Sequence, residues 1–124
     1  MSSAAAASRD TGGVFAAIDA KDGAAFVSYL TEDAVFRFGS LPPVQGRDAI
    51  QAAVDGFFTT IAGCTHSIAR TIGQDDTLVC EGDVTYLRHD GSSISLPFTD
   101  VFEYEGGLIA HYKIYIDVAP LYAE

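Results

Sequence analysis

Between Ser92 and Asp117 the chain reads SSISLPFTDVFEYEGGLIAHYKIYID, and no other stretch restricts the fold as tightly. Ile94, Leu96, Phe98, Phe102 and Tyr104 recur at every second position, with Asp100 in the one non-apolar place of the row, so in an extended strand all six side chains leave from one face. Such a row needs a second layer to cover it, and it carries a carboxyl into that layer. Glu105-Gly106-Gly107 follows, with two glycines that tolerate the positive φ of a tight turn. A second alternation then puts Tyr112, Ile114 and Ile116 on one side and His111, Lys113, Tyr115 and Asp117 on the other. The stretch reads as a long β-hairpin with one buried face.

Upstream, the spacing of apolar residues is helical. Val14, Phe15 and Ile18, then Phe26, Val27 and Leu30 beyond Lys21-Asp22-Gly23, give two amphipathic helical pieces broken near Gly23, with Asp22 as cap of the second. Ala34 to Phe38 forms a short strand in which Phe36 and Phe38 share a face, ended by Gly39 and Leu41-Pro42-Pro43. Gly46-Arg47-Asp48 opens a helix whose apolar stripe is Ile50, Val54, Phe57, Phe58 and Ile61 and which Gly63 stops. From Cys64 the period becomes two, in runs Thr65 to Ile72 and Thr77 to His89 ahead of the hairpin, parted by turns at residues 73–76 and at Asp90-Gly91. The last four strands leave no room for a βαβ crossover, so the expected class is α+β, with about three N-terminal helices packed on one face of a curved sheet. Residues 1–10 are expected to be a disordered tail and residues 11–124 one domain.

At 124 residues one core suffices, and 17 acidic against 7 basic side chains oppose phosphate backbones and anionic lipid surfaces. Neither nucleic acid nor membrane is expected as a partner. MSSAAAASRD lacks the basic and apolar regions of a signal peptide, which reads as a soluble cytoplasmic protein whose Cys64 and Cys80 stay reduced and buried. There is no HExxH, no paired CxxC and no phosphate-cradling glycine loop, so the sequence assigns no metal and no cofactor.

The order helix–helix, TEDAVFRFG, PPVQGRDAI, then a meander ending in LPFTDVFEYEGGLIAHYKIYID resembles the NTF2-like superfamily, in particular its SnoaL-like branch, from about Thr11 onward. The resemblance implies a cystatin-like cone, a curved mixed or antiparallel sheet around the helices, commonly a dimer packed through its sheets, with a pocket between sheet and helices. In the ketosteroid isomerases of that superfamily the general-base acid falls at what is Phe38 here, and two pocket tyrosines fall near Val14 and Val54. The acid that binds the oxyanion in those enzymes corresponds to Asp100. In the limonene epoxide hydrolases one acid would lie near Ile114, and the second acid and the arginine around Val84 and Gly82. Of these positions only Asp100 carries the side chain that either chemistry needs.

The candidate site therefore centres on Asp100, whose neighbours Phe98 and Phe102 disfavour its ionised form and so make it a proton donor, or else on a structural Asp100 bonded within the core. Tyr112, on the apolar side of the last strand, either offers its hydroxyl to the same cavity or serves as a core tyrosine. His66 is the third catalytic candidate. It shares a strand face with Ile68 and Arg70, and whether that face or its opposite looks inward is open, as it is for Tyr86. The apolar wall is assigned to Phe36, Phe38, Val54, Phe58, Tyr86, Phe98, Phe102, Ile114 and Ile116. Two functions fit: a SnoaL-like protein that binds a small apolar molecule and performs cofactor-independent isomerase, cyclase or dehydratase chemistry, or a non-catalytic NTF2-like ligand-binding or dimeric interaction module. Whether the chain is an enzyme stays open at this point. A homodimer through the outer row His111, Lys113, Tyr115 and Asp117 is expected, because that row is too aromatic for a solvated face and too polar for a core.

Overall fold

Six strands form one curved sheet in the order β2-β1-β6-β5-β4-β3, comprising β1 (Leu30–Phe38), β2 (Val44–Gln45), β3 (Gly63–Gln74), β4 (Thr77–Leu87), β5 (Ser93–Glu105) and β6 (Leu108–Tyr115). The structure, a computed structural model, describes residues 11–123; the expected tail over residues 1–10 lies outside the described residues. β3 to β6 are an antiparallel meander, and β1 joins β6 in parallel, which makes the sheet mixed. The two-residue period of β5 appears directly in its burial: Leu96, Phe98, Asp100, Phe102 and Tyr104 are all buried on one face. The α+β class is as the alternation implied.

The covering layer is α1 (Thr11–Asp19), α2 (Gly23–Val27) and α3 (Arg47–Phe58). Asp22 caps α2 by accepting the Ala25 N–H at 3.0 Å. Phe26 of α2 packs edge-on to Phe36 and Tyr112, and Phe15 of α1 sits against Phe98 and Phe102, so the aromatic rings join the two layers.

Several boundaries differ from the sequence reading. β1 begins at Leu30, four residues ahead of Ala34, and the short β2 pairs with it through Val35 and Phe36. α3 does open at Gly46-Arg47-Asp48 as read, with Gly46 the cap at φ 92° and Asp48 in the first turn. α3 stops at Phe58, well short of Gly63, because the hydroxyls of Thr59 and Thr60 bond back to the carbonyls of Gly56 and Phe57 and close the helix end. A fourth helix, α4 (Ala119–Tyr122), follows β6, started by Pro120 and by Asp117 Oδ1 accepting the Ala119 N–H at 3.0 Å. Asp117 thus leaves the outer row in which the alternation placed it and turns to the mouth of a cavity. No described helix is long and apolar enough to cross a membrane.

Candidate functional site

Between the concave face of the sheet and the helices lies a cavity of about 570 Å³. β1 contributes Phe36 and Phe38 to its wall, α3 contributes Val54 and Phe58, and Tyr86 of β4 and Phe98 of β5 line it from the sheet. Ile114 and Ile116 close the far side. Phe102 is the exception among the residues assigned to the wall: it is fully buried beneath Phe15 and Tyr112, where its ring fills the core. The stripe residue Phe57, absent from the assigned wall, belongs there, with its ring 4.9 Å from that of Phe38 and 5.7 Å from that of Tyr86. Among the described residues no lysine or arginine lines the cavity.

Asp100 is 1% exposed and stands on this wall. Its Oδ2 accepts the Tyr112 hydroxyl at 2.8 Å, and its Oδ1 meets no hydrogen-bond partner among the described residues. Register explains the meeting: Asp100 pairs with Ile114 and Phe102 with Tyr112, so Tyr112 is the diagonal neighbour of Asp100 on the same face. Desolvation pushes the carboxyl up to about 7, and the bond from Tyr112 opposes that rise without cancelling it. The phenol of Tyr112 is raised in turn, first by burial and then by the carboxyl beside it. Burial likewise raises the phenol of Tyr86.

The two faces left open by the sequence are settled by the register of β3 and β4. His66 pairs with Val84, and both look into the concavity together with Cys64 and Tyr86. The His66 imidazole is held between the rings of Phe15, at 5.0 Å, and Phe98, at 5.3 Å. Its Nδ1 lies 2.6 Å from Asp19 Oδ1, and its backbone N–H donates to Asp19 Oδ2 at 3.1 Å. The donor atoms of Asp19, Cys64 and His66 lie within 4.8 Å of one another, a juxtaposition the sequence spacing hid because Asp19 is 47 residues from His66. Each of those atoms already has a protein partner, for Cys64 Sγ donates to the Ile18 carbonyl at 3.4 Å. Burial foremost, and then the negative charge of Asp19, push the Cys64 thiol up to about 12. The one local signal for Asp19 was its place at the C-terminal end of a helix, where the dipole disfavours an acid unless something else holds it.

The sequence signature of the SnoaL-like domain matches residues 13–112, which span every wall element just described except Ile114, Ile116 and the mouth. The chain belongs to the SnoaL-like domain family. Its fold is close to that of an NTF2-like protein of unknown function from Burkholderia pseudomallei, with a TM-score of 0.81 at 19% identity over 90% of each chain. It is similar also to TerC, solved with polyporic acid, with a TM-score of 0.78 at 16% identity over 90% of this chain and 91% of that one. An LEH-like epoxide hydrolase from M. tuberculosis gives 0.76 at 18% identity over 90% of this chain and 83% of that one. At these identities the likeness is one of fold. The SnoaL-like chain presents apolar groups at Phe38, Val54, Val84 and Ile114, all on the cavity wall, so polarity is concentrated at Asp100–Tyr112, at Tyr86, at His66 and at the mouth. Val14 is buried away from the wall, and Gly82 lies under β3, where an added Cβ would meet Ser67 O.

Proposed function

We propose that this SnoaL-like protein binds a small, largely apolar, uncharged carbonyl compound in the cavity and performs cofactor-independent acid–base chemistry on it, of the isomerase, cyclase or dehydratase kind. The observation that carries this reading is the unpartnered Oδ1 of a buried Asp100 at the wall. A carboxyl that keeps its proton to about pH 7 offers an O–H to a ligand oxygen, and the hydroxyl of Tyr112 is in place to stabilise the carboxylate once that proton has moved. The absence of lysine and arginine from the wall, among the described residues, favours a neutral ligand. Aromatic rings at Phe38, Phe57, Tyr86 and Phe98 favour a flat one.

The test uses 2-tetralone, a neutral bicyclic ketone with an acidic α-hydrogen. Calorimetry should show 2-tetralone binding, and NMR should show the protein accelerating exchange of the α-hydrogens in deuterated water. Asp100→Asn should still bind the ketone and lose exchange by on the order of a hundredfold. Binding without exchange in the wild type would mark a non-catalytic binding module instead.

A homodimer through the outer face of the sheet is part of the same proposal. Tyr115 is 59% exposed there, and Ile72, Val79 and Val101 lie in one cross-strand row ending at Lys113. Light scattering at micromolar concentration should give twice the chain mass; a monomer would end this part of the reading.

A further inference from the structure

We infer that Asp19 and His66 form a second catalytic element of the cavity, in which Asp19 is a positioning residue that keeps the proton on His66 Nδ1 and leaves Nε2 as the base that removes a proton from the ligand. The inference rests on the acid–base reading of Asp100 and deepens it: it names the base, and with it a substrate class, neutral carbonyl compounds with an acidic C–H on the carbon next to the carbonyl.

The geometry is that of a clamp. One Asp19 oxygen meets the ring nitrogen at 2.6 Å and the other accepts the backbone N–H of the same residue at 3.1 Å, so the carboxylate fixes the ring against its own strand. Phe15 and Phe98 hold the ring on two sides, and the His66 side chain is 10% exposed. A carboxylate only accepts, so the nitrogen facing it carries the hydrogen, and a neutral imidazole then has its lone pair at Nε2. Nε2 has no protein hydrogen-bond partner among the described residues, and His66 lines the cavity. The ionisable groups around the pair are Cys64 on β3, whose thiol stays protonated, Lys21 beyond α1, whose ammonium is engaged by the carbonyls of Phe58 and Ile61, Tyr86 on β4 and Asp100 on β5.

Phe98 lies between the acid and the base. Its ring touches that of His66, and along β5 its backbone is two residues, roughly 7 Å, from that of Asp100. A ligand whose oxygen accepts from Asp100 and which reaches past Phe98 brings a carbon to Nε2. The C–H proton passes to Nε2, its electron pair becomes the new C=C bond, and the carbonyl π pair takes the proton of Asp100, giving an enol. Imidazolium is then paired with Asp19 and the Asp100 carboxylate with the Tyr112 hydroxyl. Return of the enol proton to Asp100 and of the imidazolium proton to the same or a conjugated carbon restores both groups.

The decisive measurement is nitrogen NMR of the wild-type protein labelled at histidine, near neutral pH. The expected spectrum shows His66 protonated at Nδ1 and bare at Nε2, shifting toward the Nε2–H form in Asp19→Ala and returning in Asp19→Glu. In parallel, deuterium exchange of 2-tetralone should fall on the order of a hundredfold in His66→Gln and in part in Asp19→Ala, with calorimetric binding of the ketone unchanged. An Nε2–H tautomer or an imidazolium in the wild type overturns the inference, as does a tautomer indifferent to Asp19→Ala. Exchange that ignores Asp100→Asn sinks the parent reading instead, because the tautomer is measured without any ligand.

Discussion

Tyr112 donates its hydroxyl hydrogen to Asp100 Oδ2 over 2.8 Å, and the other oxygen of the same carboxyl is left facing the cavity without a partner among the described residues. Two effects therefore act on one group in opposite directions: removal from water favours the protonated acid, and the phenol favours the carboxylate. Burial wins, and the carboxyl titrates at about 7.

That outcome has a consequence for stability. Unfolded, Asp100 ionises near its ordinary 3.8; folded, it holds its proton to about 7. A raised folded-state value means the contribution is fully present below about pH 4 and is lost as pH rises through that window toward 7. The rise from 3.8 to about 7 corresponds to roughly 4 kcal/mol. Asp100→Asn cannot ionise, so its melting temperature relative to the wild type should climb from pH 4 to pH 8, crossing from equal or slightly lower to higher. A difference that stays constant with pH would show that Asp100 is an ionised structural partner.

Tyr112→Phe removes the one interaction that lowers the Asp100 value, so the carboxyl should titrate above the wild-type value of about 7. With both carboxyl oxygens then bare in the core, the variant should lose about 1–3 kcal/mol. Carbon NMR of the labelled aspartate carboxyl follows the titration directly. A downward move would mean that the phenol does not donate to Asp100.

Much of this was legible in the chain. The period of β5 put Asp100 among Phe98 and Phe102 on an inward row, and the hairpin brought Tyr112 to the same face. What the sequence withheld depends on long-range register. His66 faces inward because Cys64 and His66 pair with Tyr86 and Val84, and nothing within β3 itself decides that. Asp19 reaches His66 only through the packing of α1 on β3. The early end of α3 depended on the hydroxyls of two threonines, which compete with the helix more strongly than the apolar stripe extends it. Phe102 was assigned to the cavity wall by a period that identifies an inward face but not which layer of it is empty.

Lys21 closes the other end of that story. Its Nζ donates to the carbonyls of Phe58, the last residue of α3, at 3.3 Å, and of Ile61 just beyond it, at 2.9 Å, from a backbone at φ 55°. Lys21→Ala should lose about 1–2 kcal/mol from those two bonds. Lys21→Gly loses the same bonds while relieving the left-handed backbone, and so should be the more stable of the two by about 1 kcal/mol. Urea unfolding of the pair decides it; an alanine variant as stable as the glycine variant would show that the backbone there is unstrained.

Two glycine-to-alanine substitutions should move stability in opposite directions. At Gly82 a Cβ would lie 2.0 Å from Ser67 O and 3.0 Å from Ile68 Cα, both backbone atoms of β3 where its register slips between Ile68 and Arg70. Backbone in a paired strand yields only by moving the strand, so Gly82→Ala should cost about 1–3 kcal/mol or more and displace the segment carrying His66. At Gly56, inside α3, an added Cβ meets nothing within 4 Å and the backbone is ordinary helix, so Gly56→Ala should gain roughly 0.5–1 kcal/mol from helix propensity alone. Amide spectra should show shifts at His66 and Ser67 for Gly82→Ala while the Asp100 carboxyl, on the next strand but one from His66, keeps its raised titration. A Gly82→Ala protein as stable as the wild type, with His66 unmoved, would mean that the close approach of β3 to β4 does not hold the histidine in place.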